Sequence, residues 1–157
     1  MKSTLYFITS GVLLAASWLL YFLLLHNPPF PWLVYAGWVV LGVGLVFIAL
    51  AIMTLRRKGQ PQAEDDFTRT TTVVDTGIYA VVRHPLYLGW LLMYAAVVLF
   101  SQHWLIVIMV ALGIVCMVLI SRDEDQHLVK KFGDRYRAYI ESVPAMNILV
   151  GLFRLLR

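Results

Sequence analysis

Residues Trp32–Leu55 read WLVYAGWVVLGVGLVFIALAIMTL, 24 positions without one charged side chain. A helix of that length rises ~36 Å, enough to cross the ~30 Å hydrocarbon core of a bilayer. Thr4–Leu25 is a second uncharged run of the same kind. Leu86–Phe100 and Trp104–Ile120 are shorter, and only Ser101-Gln102-His103 separates them. Hydrophobic residues make up 61% of the 157 and charged residues 14%, so a soluble core has no room for this much continuous apolar surface. The chain reads as an integral membrane protein.

Backbone groups in lipid must be satisfied within their own segment, which favours helices, and barrel strands would alternate in polarity as these runs do not. The expected architecture is all-α: about four transmembrane helices in two hairpins, at roughly 4–25, 32–55, 86–100 and 104–120. A cytoplasmic loop (56–85) and a helical cytoplasmic tail (121–157) complete a single domain, 1–157. The first run follows Lys2 but is longer than the core of a signal peptide, so it reads as an uncleaved span.

Charge placement sets the orientation. Arg56, Arg57, Lys58, Arg69 and Arg83 lie between the second and third runs, and seven more basic residues follow the fourth. The connections His26–Pro31 and Ser101–His103 contain no Lys, Arg, Asp or Glu. The positive-inside rule then makes both termini and the long loop cytoplasmic, and the expected location is a bacterial inner membrane. The net charge of +4 needs no nucleic acid partner, because basic residues beside spans hold topology and touch anionic lipid. Trp18, Trp32, Trp38, Trp90 and Trp104 read as belt or packing residues. Cys116 is the single cysteine, which excludes an internal disulfide.

Chemistry concentrates in two polar stretches on either side of the second hairpin. The first is Gly77-Ile-Tyr79-Ala-Val-Val-Arg83-His84-Pro85-Leu-Tyr87, preceded by a basic turn at Arg56–Pro61, an extended Thr70–Val74 and a turn at Asp75–Gly77. Proline is favoured at the first helical position, so His84-Pro85 marks a helix start at the membrane edge. The second stretch, Arg122-Asp123-Glu124-Asp125, lies one turn past the fourth run and reads as a continuation of its helix. Leu128, Val129 and Phe132 give that continuation an apolar side, and Gly133 stops it. Asp134 then caps a turn containing Tyr136 and Tyr139. Met146–Arg157 is too short to span and suits a helix lying in the interface.

A helix N-terminus presents free N–H groups and partial positive charge, and Arg83 adds a fork for a carboxylate or phosphate. Glu124 and Asp125 can accept hydrogen bonds from hydroxyls or an amine. A ligand with an anionic group plus an ammonium or a pair of hydroxyls matches both halves. S-adenosylmethionine has these features, and nucleotides share several of them.

The order Gly77-x-Tyr79-x-x-x-Arg83-His84-Pro85-x-Tyr87-x-Gly89, followed by Glu124-Asp125-x-x-Leu128-x-x-x-Phe132-Gly133-x-x-Tyr136-x-x-Tyr139-x-x-x-Val143-Pro144, resembles the integral-membrane methyltransferases. That group includes isoprenylcysteine carboxyl methyltransferases and phospholipid N-methyltransferases. The likeness runs from Gly77 to Pro144 and departs at Asp125, where the family more often has a second glutamate. It implies S-adenosylmethionine as cofactor, bound by Tyr79, His84, Pro85, Tyr87, Gly89, Glu124 and Asp125. Arg83 and Glu124 are the residues it implies for catalysis. The acceptor would be lipophilic, either the carboxylate of a prenylcysteine-like compound or the amine of a phospholipid head group.

Two other readings compete. Sterol reductases carry a similar Arg-His-Pro and tail motif and use NADPH, but they are longer, with more spans than this chain accommodates. A non-enzymatic membrane scaffold gives no reason for the paired motifs. Transport is disfavoured because the apolar runs carry no charged side chain. No metal is expected: Glu124-x-x-His127 has no second copy, and His26, His84, His103 and His127 have no ligand spacing. Gly42-Val43-Gly44 reads as helix-packing surface rather than a nucleotide loop.

Overall fold

The computed structural model describes residues 2–60 and 70–156; Pro61 and Arg69 of the predicted basic loop, and Arg157, lie outside them. The described residues are helical with no strand. The elements are α1 (Lys2–Leu24), α2 (Pro31–Lys58), a 3₁₀ turn (Gly77–Ala80), α3 (Pro85–Ser101), α4 (Trp104–Phe132), α5 (Asp134–Ser142) and α6 (Ile148–Leu155). Within α1, α2 and α4, the segments Ser3–Leu24, Pro31–Lys58 and Trp104–Phe132 are long and apolar enough to cross a membrane. The apolar α3 is shorter, at 17 residues. Thr70–Val74 is irregular rather than strand-like. Two compact units are formed, one from residues up to Leu45 with Gly89–Asp123, the other from Val46–Leu88 with Glu124 onward.

In the first unit the helices present large apolar side chains outward. Tyr35 is 76% and Leu24 70% exposed. Surface of that kind suits contact with lipid rather than water. Lipid offers the helices no hydrophobic gain for associating, so small residues and interhelical hydrogen bonds hold them instead. The Tyr94 hydroxyl donates to the Ser10 carbonyl at 2.6 Å and lies 2.9 Å from Ser10 Oγ, all fully buried. Gly113 makes room for that phenol, since a Cβ there would overlap the Tyr94 ring. A Cβ at Gly44 would press on the Gly89 carbonyl oxygen and Leu92 Cβ at 3.0 Å, whereas Gly42 faces open space. The predicted packing surface is therefore carried by one glycine of the pair. Trp18 packs against Tyr21, Phe22 and Phe100, and Trp32 and Trp104 stay outward.

The second unit has a different composition. Val73, Tyr136, Tyr139 and Val143 form its core with Leu128, Val129, Phe132 and Ile140 packed around them. A second cluster joins Ala51, Val74 and Tyr79 to Leu55, Ile78 and Leu86. The α4 helix runs on past its apolar part to Phe132, as the sequence suggests, and Gly133 ends it with φ +62°, a conformation that favours glycine. The Gly133 N–H closes the turn on the Val129 carbonyl at 2.9 Å. Asp134 is not the cap of α5: Gly133 occupies that position, and Asp134 pairs instead with Arg137 at 3.2 Å. The α5 helix forms because Tyr136, Tyr139, Ile140 and Val143 recur at helical spacing on one side.

Candidate active site

The chain reaches the site through a turn that only glycine suits. Gly77 adopts φ +61° beside Thr54, and the following 3₁₀ turn buries Tyr79. Residues Arg83 and His84 then run alongside the tail. The Arg83 N–H donates to the Pro144 carbonyl at 2.9 Å and the His84 N–H to the Ala145 carbonyl at 3.0 Å. The Leu88 N–H donates to the His84 carbonyl at 3.0 Å, making His84 the N-cap of α3 and Pro85 its first helical residue. By helix geometry the N–H groups of Leu86 and Tyr87 have no acceptor within α3.

The Arg83 guanidinium is almost enclosed, with its side chain 10% exposed. Its Nη1 donates to the carbonyls of Ile140 and Val143, both at 2.7 Å, and its Nη2 to Asp125 Oδ2 at 3.0 Å. Ile140 lies in the last turn of α5, where carbonyls lack helical partners and the dipole is negative. Arg83 thus supplies both the missing donor and the matching charge. Its Nε is buried and has no hydrogen-bond partner among the described residues.

Asp125 is the hub. Besides Arg83, it accepts from the Tyr136 hydroxyl at 2.8 Å and lies 3.0 Å from His84 Nε2, both on Oδ1. Burial pushes the Asp125 carboxyl upward, but His84, Tyr136 and Arg83 together outweigh that and hold it below the usual carboxylate range. An ionised carboxylate only accepts, so Nε2 of His84 carries the proton shared with it. The other ring nitrogen, Nδ1, is 3.8 Å from Glu124 Oε2, and the ring stacks on Tyr87 at 5.6 Å. Burial, reinforced by the Asp125 carboxylate it donates to, pushes the Tyr136 phenol well above its ordinary range.

Glu124 is placed differently from its neighbour. Its side chain is 40% exposed, against 18% for Asp125 and 3% for His84. Tyr79 and Tyr87 are its electrostatic neighbours. Burial first, then the Glu124 charge, pushes the Tyr79 phenol upward. Tyr139 donates to the Tyr79 carbonyl at 2.6 Å and fixes the 3₁₀ turn from below.

The structure brings Tyr79, Arg83, His84, Pro85, Tyr87, Glu124 and Asp125 together in one unit. Gly89 is buried further along α3, with its carbonyl against Gly44. The sequence places Tyr136 and Tyr139 in the turn after Gly133 and assigns them no part in the site. Both pack, with ring centroids 5.6 Å apart, but each also donates a hydrogen bond that organises the site. Their fixed offsets of three and six from the helix-stopping Gly133 were the available clue. The backbone acceptors of Ile140, Val143, Pro144 and Ala145 have no sequence signature.

A family model described as phospholipid methyltransferase matches residues 32–135. The match takes in Arg83, His84, Glu124 and Asp125 and stops one residue before Tyr136. No curated protein and no solved structure matches the chain.

Proposed function

The chain belongs to the phospholipid methyltransferase family, and we propose that it transfers the methyl group of S-adenosylmethionine to the amine of a membrane lipid head group at the cytoplasmic face. The observation that carries this reading is the unequal pair at the end of α4. Asp125 has both oxygens taken by internal donors, while Glu124 stands half-exposed beside the first turn of α3.

The donor set fits the cofactor. The Leu86 and Tyr87 N–H groups, at the positive end of α3, suit a carboxylate. The Glu124 carboxylate suits an ammonium or ribose hydroxyls. The half-buried Tyr87 ring, stacked on the buried His84, stands beside them. Bound there, S-adenosylmethionine would supply a methyl group already activated on a sulfonium, so the protein need not activate the donor.

What remains for the chain's own residues is positioning, exclusion of water and removal of one proton. An ammonium head group is not nucleophilic until it is deprotonated. Glu124 is the base within reach of solvent-side substrate, because Asp125 has no free oxygen to receive a proton. Arg83, held rigid by two carbonyls and Asp125, fixes the segment bearing His84 and the start of α3. Its role here is positional, through the geometry of that segment.

The test is transfer of labelled methyl from S-adenosylmethionine to a fractionated lipid extract by the purified protein, with the product identified by mass. A methylated amine lipid is expected. A methyl ester of a prenylcysteine-like compound would move the acceptor to the carboxylate class and remove the need for a base. Tight NADPH binding without methyl transfer would favour the reductase reading instead.

A further inference from the structure

The last helix is attached to the site by one side and bare on the other. Asn147 caps α6, its side chain accepting from the Val150 N–H at 3.1 Å. The inner side is Gly151 and Arg154. Gly151 is buried so closely on the Val81 carbonyl that a Cβ would overlap it. Arg154 donates to the Ala80 carbonyl at 2.5 Å. The outer side is Leu149 (69% exposed), Leu152, Phe153 (71%) and Leu156 (84%). Eight residues rise only ~12 Å, far short of a span.

The attachment points say what this bare side meets. Ala80 and Val81 come four to five residues before Pro85, where the apolar α3 begins. The same tail gives the Pro144 and Ala145 carbonyls to Arg83 and His84. The α6 helix is therefore fixed at the level where the chain enters an apolar helix, which in an integral membrane protein is the bilayer surface. Arg135 is exposed on α5 just upstream, a charge that suits anionic head groups.

We propose that α6 lies in the membrane interface with Leu149, Leu152, Phe153 and Leu156 among lipid acyl chains. Seated there, it braces the 80–84 segment through Gly151 and Arg154. The bilayer is thus part of what positions Arg83 and His84. This goes beyond methyl transfer and holds whatever the acceptor is.

The experiment uses the full chain with Cys116→Ala, a half-buried α4 position outside the site. A nitroxide is attached in turn at Leu149→Cys, Phe153→Cys and Arg137→Cys, and the protein is reconstituted in vesicles of phosphatidylcholine and phosphatidylglycerol. The Leu149 and Phe153 labels should favour dissolved oxygen over a water-soluble nickel complex, at a depth of ~5–10 Å. The Arg137 label should report water. A second measurement compares amide exchange of residues 80–84 in the parent with that in Leu149→Asp/Phe153→Asp, where faster exchange is expected. Water-exposed labels at both α6 positions would overturn the proposal. Dipolar broadening between labels on separate molecules would overturn it too, by giving the face to a second copy. Unchanged exchange at 80–84 in the double variant would refute the bracing. None of these readouts depends on activity, so they fail independently of the proposed reaction.

Discussion

Asp125→Asn and Glu124→Gln remove the same charge from adjacent residues and should have opposite consequences. Asp125 receives Arg83, His84 and Tyr136. An asparagine keeps one oxygen and turns the other into a donor, so either Arg83 or the His84–Tyr136 pair faces a donor instead of an acceptor. Hydrogen bonds to charged groups contribute about 1.5–3 kcal/mol each, and breaking a fully buried pair from one side costs about 3–5 kcal/mol. With Asp125 at 18% exposure and one acceptor retained, the expected loss is about 2–4 kcal/mol. For a chain of this size that lowers Tm by roughly 5–15 °C. Thermal unfolding in micelles reads the stability, and titration of S-adenosylhomocysteine reads the site. Glu124→Gln should leave Tm within about 1 °C of the parent, as exposed changes do, while weakening the ligand roughly tenfold to a hundredfold. The sign of the pH dependence follows from the lowered Asp125 carboxyl. Its stabilisation is complete above the unfolded value of about 3.9 and is lost as pH falls through the depressed folded value. The parent should thus lose stability in acid more steeply than Asp125→Asn. An Asp125→Asn protein with parental Tm and collapsed ligand affinity would refute the division of labour between the two carboxylates.

Arg83→Lys keeps the charge but cannot serve Ile140, Val143 and Asp125 from one nitrogen; methyl transfer should fall steeply and amide exchange at 140–145 should quicken, whereas near-parental turnover would remove Arg83 from the positioning of the site. Gly113→Ala places a methyl in the Tyr94 ring and should cost about 1–3 kcal/mol by overpacking, read as a lower unfolding temperature in micelles. For topology, a reporter fused after Arg157 should be cytoplasmic and a tag within His26–Pro31 external; the reverse accessibility of either would defeat the four-span reading.

The helices were legible because their cause is local. Uncharged runs of fixed length, Pro85 after His84, and Gly133 after an apolar side each state a boundary in the residues themselves. The observed limits of α3, Pro85–Ser101, and the stop of α4 at Phe132 agree with that reading. Asp134 was misread because a capping preference is weak beside the need for φ +62° at the preceding position, which Gly133 meets.

The division between Glu124 and Asp125 was not legible, and the reason is geometric. Successive residues on a helix point about 100° apart, so two carboxylates in a row meet different neighbours. Which one turns inward depends on where α5 lies, because Tyr136 and the carbonyls of Ile140 and Val143 complete the hub. Arg83 shows the same dependence from the other side. Its sequence context advertises a guanidinium free to grip a ligand, yet the free C-terminal carbonyls of α5 are a better-matched partner, fixed and negatively polarised. Once Arg83 is drawn there, Asp125 follows it and His84 follows Asp125. Glu124 then remains as the carboxylate available to a ligand, with His84 and Tyr87 held beside it. The motif encodes the group of residues, and the docking of one short helix assigns them their parts.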